Sequence, residues 1–300
     1  MQFQDCLRGT TTICDGAWAT EFQKLGLELG ACADEWNLAK PHLVEQVAQS
    51  YVQAGSRVIL TNTFRANAIS LTAQGLAGQC EEINRAGVRI SRKAAENSAL
   101  VFASIGPSGK LLLTKEVTVE QLKEAFSQQA KALASEGPDG IVLETFTDLA
   151  EARIAVAAAL KTGLPVIVSF VFDSGKNRDR TIMGTTPEQV ATTMTSDGVH
   201  AIGANCGLGI QEFVPVCRRL AAASRLPIWI KPNAGLPEMV GGMAKYKTTP
   251  AEFAESVPEL VDAGATFLGG CCGTTPEFIH EIARLPALKK SQGKRAASEE

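Results

Sequence analysis

The sequence has no hydrophobic run long enough to cross a membrane. The apolar run at residues 165–172 is far shorter than the roughly 20 residues that a membrane-spanning helix needs. The first ten residues lack the charged segment followed by an apolar segment that marks a secretory signal. We therefore expect a cytoplasmic protein with no membrane partner.

An excess of charge of either sign is also missing. Lysine and arginine number 29, and aspartate and glutamate number 32, which gives a net charge of -3. Because nucleic acids and anionic membranes attract strongly basic surfaces, neither is an expected partner. The hydrophobic fraction of 45% and the charged fraction of 20% exclude a disordered or fibrous chain. We expect a globular protein that binds a small molecule or another protein.

The chain also lacks an internal repeat, a domain linker and a glycine-rich dinucleotide fingerprint, and eight short apolar runs recur along it instead. The predicted strands are residues 10–14, 57–61, 100–105, 140–144, 165–172, 201–205, 227–231 and 266–269. Their continuous apolar character is typical of parallel strands covered on both faces, and amphipathic helices such as 41–54 lie between them. This alternation predicts an α/β fold, a single-domain (β/α)₈ TIM barrel over residues 1–290, followed by a polar C-terminal tail at 291–300.

Polar and reactive residues follow most of these predicted strands. In a (β/α)₈ barrel the carboxyl ends of the strands form the active face. The residues there are Asp15-Gly16-Ala17, Asn62-Thr63, Glu144-Thr145, Asn205-Cys206-Gly207, Asn233-Ala234-Gly235 and Cys271-Cys272-Gly273. The amino ends carry ordinary turn residues, so we expect the functional site at the carboxyl ends.

Three of the eight cysteines are predicted to form a metal site. Cys271 and Cys272 are flanked by glycines, which allow the backbone to leave the regular pleat so that both thiols reach one ion. Cys206 ends a strand that a single barrel neighbour separates from theirs. Three thiolates suit Zn²⁺ and leave a fourth position open for substrate. The alternatives are cysteines that only pack, and a strained vicinal disulfide that a reducing compartment would cleave.

Such a site favours one type of chemistry. Zn²⁺ that already carries three thiolates has a net negative charge and activates water poorly. It binds a fourth thiolate well, removes the proton of that thiol and leaves its sulfur nucleophilic. We therefore expect alkylation of a substrate thiol.

Five motifs resemble those of the homocysteine S-methyltransferase family. They are residues 269–276 (GGCCGTTP), 203–206 (GANC), 15–17 (DGA), 61–64 (TNTF) and 232–235 (PNAG). The resemblance spans about residues 12–284 and implies a (β/α)₈ barrel that transfers a methyl group to homocysteine and forms methionine. Within the family, the sequence is most similar to the homocysteine-binding module of cobalamin-dependent methionine synthase.

The resemblance also implies roles for individual residues. Cys206, Cys271 and Cys272 match the zinc ligands and form the catalytic centre. The implied substrate site consists of Asp15, Gly16, Ala17, Asn62, Glu144 and Asn205, with Asp15 and Glu144 on the ammonium group of homocysteine. Asn233 is a candidate fourth zinc ligand before substrate arrives. From the residues alone, the two carboxylates could instead cap helices, and Asn62 and Asn205 could only hold loops.

The methyl donor stays open at this point. Similarity to methionine synthase favours a methyl-corrinoid or a methyl group derived from methyltetrahydrofolate. The 300 residues leave little room for a corrinoid beside the barrel, so a separate corrinoid protein or folate module would deliver it, and the chain would be a stand-alone subunit or an excised module. S-methylmethionine or betaine are alternative donors, although the betaine-using branch has a tyrosine where this chain has Thr145. The rival function is a non-catalytic zinc-binding barrel subunit.

Overall fold

Eight parallel strands close into a barrel in the computed structural model, which describes residues 2–7, 11–240 and 243–289. The barrel strands are β1 (Thr12–Ile13), β2 (Val58–Leu60), β3 (Leu100–Ile105), β4 (Gly140–Phe146), β5 (Val166–Phe170), β6 (Ala201–Gly209), β7 (Ile228–Asn233) and β10 (Ala265–Leu268). Strands β8 (Glu238–Val240) and β9 (Met243–Lys245) form a separate antiparallel hairpin between β7 and β10. Hydrogen bonds join the barrel strands in the order β1-β10-β7-β6-β5-β4-β3-β2, and a bridge between Cys14 and Val58 closes the ring. The predicted (β/α)₈ barrel is confirmed.

Helices surround the strands. They are α1 (Ala19–Lys24), α2 (Trp36–Ala39), α3 (Pro41–Ala54), α4 (Ala68–Thr72), α5 (Cys80–Ala95), α6 (Val119–Ala134), α7 (Leu149–Leu160), α8 (Pro187–Asp197), α9 (Phe213–Ala223), α10 (Pro250–Glu255), α11 (Val257–Asp262), α12 (Pro276–Arg284) and α13 (Pro286–Lys289). Within the described ranges, no helix is long and apolar enough to cross a membrane. The predicted tail at 291–300 lies outside the described residues.

Threonine and proline begin several of these helices. Thr186 and Thr249 form capping boxes at the starts of α8 and α10, an arrangement worth about 1 kcal/mol each. Thr275 precedes Pro276 in the same way at α12, but its hydroxyl bonds the carboxylate of Glu277 instead of a backbone N–H group. The buried faces of the helices then pack against the outside of the barrel in one continuous apolar layer.

Apolar side chains fill the barrel interior towards its amino end. Trp229 and Phe267 are fully buried there, with ring centroids 5.4 Å apart. The 3₁₀ helix Phe3–Leu7 covers this end, and the ring of Phe3 stacks 6.0 Å from that of Phe267. Gly203 makes room for this packing, because a Cβ atom there would lie 1.9 Å from the carbonyl oxygen of Trp229.

The interior changes from apolar to polar along each strand. Alternate residues of a strand point to the same side, so they line the barrel at successive heights. On β4 the inward residues are Val142 and then Glu144, and on β7 they are Trp229, Lys231 and then Asn233. Val142 and Trp229 belong to the apolar core, whereas Glu144 and Lys231 line a cavity at the carboxyl ends of the strands.

Candidate active site

A cavity of about 360 Å³ opens at the carboxyl ends of the barrel strands. All three cysteines of the predicted metal site line it, and so do the predicted substrate residues Gly16, Ala17, Asn62 and Glu144. Lys231, Asp34 and Arg65 also line it, and no motif in the sequence points to them. The structure therefore brings the predicted metal and substrate residues to one place.

The three thiols form a compact cluster. The Sγ atoms of Cys206, Cys271 and Cys272 all lie within 4.8 Å of one another, and those of Cys206 and Cys272 are 3.9 Å apart. Sulfurs bound to one tetrahedral zinc at about 2.3 Å are separated by about 3.8 Å. A disulfide would need about 2.05 Å. The spacing therefore suits three thiols that share one ion.

Close backbone packing explains the glycines beside the cysteine pair. A Cβ atom at Gly269 would lie 2.5 Å from the carbonyl oxygen of Asp15, and one at Gly270 would lie 2.2 Å from Oγ1 of Thr274. The N–H group of Cys271 donates to the carbonyl of Pro232 at 2.7 Å. The segment that carries both cysteines is thus pressed against the ends of β1 and β7, and only glycine fits there.

Hydrogen bonds among the thiols distribute their charge unequally. Donation by the thiols of Cys271 and Cys272 lowers the pKa of Cys206. The same bonds to Cys206 raise the pKa of Cys271 and of Cys272. The cluster therefore holds one thiolate readily and resists a second and third negative charge unless a cation binds.

Asn205 ties the cysteines to the neighbouring strands. Its Oδ1 atom accepts hydrogen bonds from the N–H group of Thr145 at 2.9 Å and from the hydroxyl of Ser169 at 2.7 Å. Its Nδ2 atom donates to Oγ1 of Thr145 at 2.7 Å and points to Sγ of Cys271 at 3.9 Å. Asn205 is fully buried and fixes the ends of three strands around the cluster.

Asn233 has an unsatisfied oxygen next to this cluster. Its Nδ2 atom donates to the carbonyl of Gly207 at 3.2 Å, whereas its buried Oδ1 atom has no hydrogen-bond partner. A buried amide oxygen without a partner is costly, and a cation is one partner that would satisfy it. Asn233 also hydrogen-bonds the Cys206 sulfur and thereby contributes to its lowered pKa.

Asp15 is engaged entirely within the protein. Its Oδ1 atom accepts a hydrogen bond from Nζ of Lys231 at 2.5 Å, and the side chain is 0% exposed. Its Oδ2 atom accepts from Nε1 of Trp18 and from the N–H group of Leu60, both at 2.7 Å. The predicted role of Asp15 as a ligand of the substrate ammonium stays a prediction, and in this structure a lysine ammonium occupies that carboxylate.

Glu144 differs from Asp15 in that it reaches the cavity. The hydroxyl of Ser104 donates to its Oε1 atom at 2.5 Å, and the side chain lies against the cavity wall. Burial raises the pKa of Glu144, while the nearby Lys231 cation and the bond from Ser104 offset part of that rise. For Lys231, burial acts to lower the pKa, but the carboxylates of Asp15 and Glu144 outweigh it and raise the pKa.

Hydrogen bonds hold the loop after β1 against the loop that carries the cysteine pair. The hydroxyl of Tyr51, which is fully buried on α3, donates to the carbonyl of Ala17 at 2.5 Å. The N–H group of Ala17 donates in turn to the carbonyl of Thr274 at 3.2 Å. Gly16 lies under the ring of Tyr51, because a Cβ atom there would be 2.8 Å from that ring. These contacts fix the predicted substrate loop relative to the thiols.

The amide of Asn62 mainly holds neighbouring segments. Its Nδ2 atom donates to the carbonyl of Ala33 at 2.7 Å and to Oδ1 of Asn37 at 3.0 Å. A substrate contact of Asn62 stays a prediction. The remaining cysteines are buried outside the cluster, as expected for thiols that only pack, and they are Cys6, Cys14, Cys32, Cys80 and Cys217.

Comparison with known proteins assigns this barrel to a family. The sequence profile described as homocysteine S-methyltransferase matches residues 12–285. The chain belongs to the homocysteine S-methyltransferase family. The family is one of methyltransferases that act on homocysteine.

Relatives of this methyltransferase include much longer proteins. It is 29% identical over 296 residues to methionine synthase of Mycobacterium tuberculosis, an alignment that covers 93% of this chain and 25% of the relative. Methionine synthase of Mycobacterium leprae is 29% identical over 286 residues, with 90% and 24% covered. The methyltransferase chain thus spans about a quarter of the length of these relatives.

Solved structures support the same fold. The metallated form of the homocysteine methyltransferase MmuM from Escherichia coli superposes with a TM-score of 0.77 at 24% sequence identity, covering 91% of this chain and 96% of that one. Its oxidized form gives the same TM-score. At this identity the likeness concerns the barrel itself.

Proposed function

We propose that the chain is a zinc-dependent methyltransferase that converts homocysteine to methionine, with Cys206, Cys271 and Cys272 as the metal ligands. The observation that carries the proposal is the convergence of these three thiols, from two strand ends, on the wall of one cavity. Family membership supports homocysteine as the acceptor. The acceptor, the metal, the methyl donor and the roles of individual residues are all parts of the proposal.

The residues present fit zinc. The 3.9 Å between the sulfurs of Cys206 and Cys272 is close to the spacing in a tetrahedral thiolate site, and all three sulfurs lie within 4.8 Å of one another. Soft sulfur ligands favour zinc over magnesium or calcium. The unsatisfied Oδ1 atom of Asn233 supplies a fourth protein ligand for the state without substrate. When bound, Zn²⁺ would remove the proton of a coordinated thiol and keep its sulfur nucleophilic at neutral pH.

The surrounding residues would orient the acceptor. The carboxylate of Glu144 is the cavity-facing anion that can pair with the ammonium group of homocysteine. Asn205 keeps the thiol cluster and Thr145 in a fixed relation, and the Tyr51 contacts hold the loop of Gly16 and Ala17 beside it. These fixed contacts would place the acceptor sulfur in line with the methyl group, at the roughly 3–3.5 Å that transfer needs.

The transfer itself is a single displacement. The thiol of homocysteine loses its proton, its sulfur forms a bond to the methyl carbon, and the bond between that carbon and the donor breaks. The electron pair of the broken bond leaves with the donor. Methionine is the product, and the demethylated donor is the second product.

The outer surface favours a methyl group delivered on a protein. In the described part of the chain, the exposed large hydrophobic side chains all follow the carboxyl ends of β1, β3, β5 or β7, around the cavity mouth. They are Leu29, Leu111, Leu113, Val119, Ile182, Met183 and Leu236. Exposed apolar groups concentrated on one face are typical of an interaction surface. A methyl-corrinoid protein, or less directly a folate module, is the partner that we propose for this rim.

The proposal is tested by supplying candidate donors to the purified, zinc-loaded chain. Methionine formation is measured with methylcobalamin, methyltetrahydrofolate, S-methylmethionine and betaine, together with zinc per chain. Turnover with methylcobalamin supports the corrinoid donor, whereas turnover with S-methylmethionine or betaine alone contradicts it and keeps the acceptor. Bound zinc without methionine from any donor would support a non-catalytic zinc-binding subunit.

A further inference from the structure

A tyrosine beside the antiparallel hairpin reaches the cysteine cluster. Tyr246 follows β9 directly, and its hydroxyl hydrogen-bonds Sγ of Cys272. Tyr246 is not among the residues that line the cavity, so this contact does not take up the space that a substrate would use. The hydroxyl therefore adds a donor to one of the proposed metal ligands and leaves the cavity open.

The ring of Tyr246 is held by packing that does not depend on its hydroxyl. A Cβ atom at Gly273 would lie 2.3 Å from this ring, so the ring rests directly on the backbone that follows the cysteine pair. The ring also packs against the main apolar core. On the other side, the N–H group of Ala234 donates to the carbonyl of Cys272 at 3.0 Å. The tyrosine and Cys272 are thus kept in a fixed relation by contacts other than the hydroxyl.

The other two sulfurs of the cluster also have donors from the protein. The backbone N–H group of Gly207 hydrogen-bonds the sulfur of Cys206. Nδ2 of Asn205 points to the sulfur of Cys271 at 3.9 Å. With Tyr246, each of the three protein sulfurs therefore has a donor close to it. Tyr246 is the donor whose removal changes neither the main chain nor the contacts between strand ends.

Donors on the protein sulfurs matter because a metal-bound acceptor would be a fourth thiolate beside them. Each thiolate on one ion can attack a methyl carbon, yet only attack by the acceptor gives product. A hydrogen bond stabilises the charge of a thiolate and lowers its basicity. Nucleophilicity falls with basicity, so a sulfur that accepts a hydrogen bond attacks more slowly.

We propose that Tyr246 is a positioning residue that acts through Cys272, whose sulfur its hydroxyl keeps from taking the methyl group intended for the acceptor. The inference rests on the proposed function, because it concerns methyl transfer beside a metal held by the three cysteines. In the reaction that the hydroxyl slows, the Cys272 sulfur forms a bond to the methyl carbon, and the leaving group departs with the electron pair. The product at Cys272 is a neutral thioether, which lacks the charge that holds the metal.

The test follows methylation of the cysteines themselves and needs no natural methyl donor. Zinc-loaded wild type and Tyr246→Phe are treated with methyl iodide to less than one methyl group per chain. Peptide mass spectrometry with fragmentation then assigns each methyl group to Cys206, Cys271 or Cys272, and zinc per chain is measured on the same samples. Tyr246→Phe keeps the packed ring and removes only the hydroxyl.

Tyr51→Phe is the matched control, because it removes the hydroxyl of the other tyrosine in the chain. That hydroxyl bonds the backbone carbonyls of Ala17 and Thr274, so it supports the loop of the cysteine pair. A loop that is merely loosened should expose both neighbouring cysteines to the reagent. The ratio of Cys272 to Cys271 methylation therefore separates loss of a donor from loss of order.

In Tyr246→Phe, we expect the rate of Cys272 methylation to rise about threefold to tenfold. This is the effect of losing a hydrogen bond to a charged sulfur when nucleophilicity follows about half of the change in basicity. Methylation of Cys271 should stay within about twofold, and zinc per chain should be unchanged. In Tyr51→Phe, the ratio of Cys272 to Cys271 methylation should equal that of the wild type.

Equal rates of Cys272 methylation in the wild type and Tyr246→Phe would overturn the inference and leave Tyr246 as a packing residue. A parallel rise at Cys271 and Cys272 would also overturn it, as would loss of zinc from Tyr246→Phe. These outcomes leave the proposed function intact. A wild type that binds no zinc contradicts the proposed metal site first and this inference with it.

Discussion

Replacement of Glu144 by glutamine tests the acceptor site directly. The side chain keeps its size, and its Oε1 atom can still accept the hydrogen bond that Ser104 donates at 2.5 Å. What disappears is one negative charge in a side chain that is 9% exposed, where solvent screens little. Asp15 and Lys231 then cancel each other, and the substrate ammonium meets a cavity floor without net charge.

The expected loss follows from that lost contact. A hydrogen bond to a charged group contributes about 1.5–3 kcal/mol, which corresponds to roughly a 10- to 150-fold change in an equilibrium constant. We expect kcat/KM for homocysteine to fall by that factor in Glu144→Gln, with unchanged zinc content. With 2-mercaptoethanol, which has no ammonium group, kcat/KM should stay within about twofold of the wild type.

A pH profile adds a second, independent measurement. Because burial raises the pKa of Glu144, the wild type should lose kcat/KM for homocysteine as the pH falls through that pKa and the carboxylate becomes protonated. This decline should be absent for 2-mercaptoethanol and absent in Glu144→Gln. Glu151→Gln is the matched control, since Glu151 is also buried with a raised pKa but accepts from the N–H group of Ser108 and does not line the cavity.

One result would refute the reasoning. If Glu144→Gln slows homocysteine and 2-mercaptoethanol by the same factor, the side chain acts on the structure or on the chemical step. The ammonium of homocysteine would then be bound elsewhere.

Three further predictions concern the metal, the stability and the core. Cys272→Ser should lose most of its zinc and its methyl-transfer activity, because two thiolates hold the ion weakly. Cys217→Ser, the control, should keep both. Equal zinc content in the two variants would contradict this prediction. Burial raises the pKa of Asp34 from 3.8 to about 6, so its ionisation costs the fold about 3 kcal/mol above that pH. Asp34→Asn should therefore raise the free energy of unfolding at pH 7 and leave it unchanged near pH 4, as urea titrations would show. Gly203→Ala, which would put a Cβ atom 1.9 Å from the carbonyl oxygen of Trp229, should lower the free energy of unfolding by about 3 kcal/mol. Gly78→Ala, with open space around the new atom, should be nearly neutral in the same unfolding assay.

The barrel could be predicted because its signals are local. Each strand is a short apolar run, and the eight predicted runs match the eight barrel strands with small differences at their ends. The extension of β6 from the predicted residue 205 to Gly209 was missed, because two glycines and a cysteine with a positive φ of 63° do not read as a strand. The hairpin β8–β9 was also missed, since a pair of three-residue strands has too little pattern to predict.

The site could be predicted from the sequence only where the residues that form it are close together in the chain. The cysteine pair with its glycines indicated a metal site without any structure. Lys231 was not singled out, although a lysine between Ile230 and Pro232 in an apolar run was a signal of a buried charge. Its partner Asp15 is 216 positions away in the sequence, so the pairing could not be read from it. The hydrogen bonds that both carboxylate oxygens of Asp15 accept within the protein also form only in the folded chain.

The inward positions of β7 have a consequence for how this enzyme can change. Trp229 packs the core, Lys231 lines the cavity, and Asn233 adjoins the three cysteines, each two residues from the next. A library that randomises position 231 alone would change the cavity wall and leave the core packing of Trp229 and the thiol cluster in place. The lining of the cavity and the surroundings of the thiols can therefore change independently, through substitutions at alternate positions of a single strand.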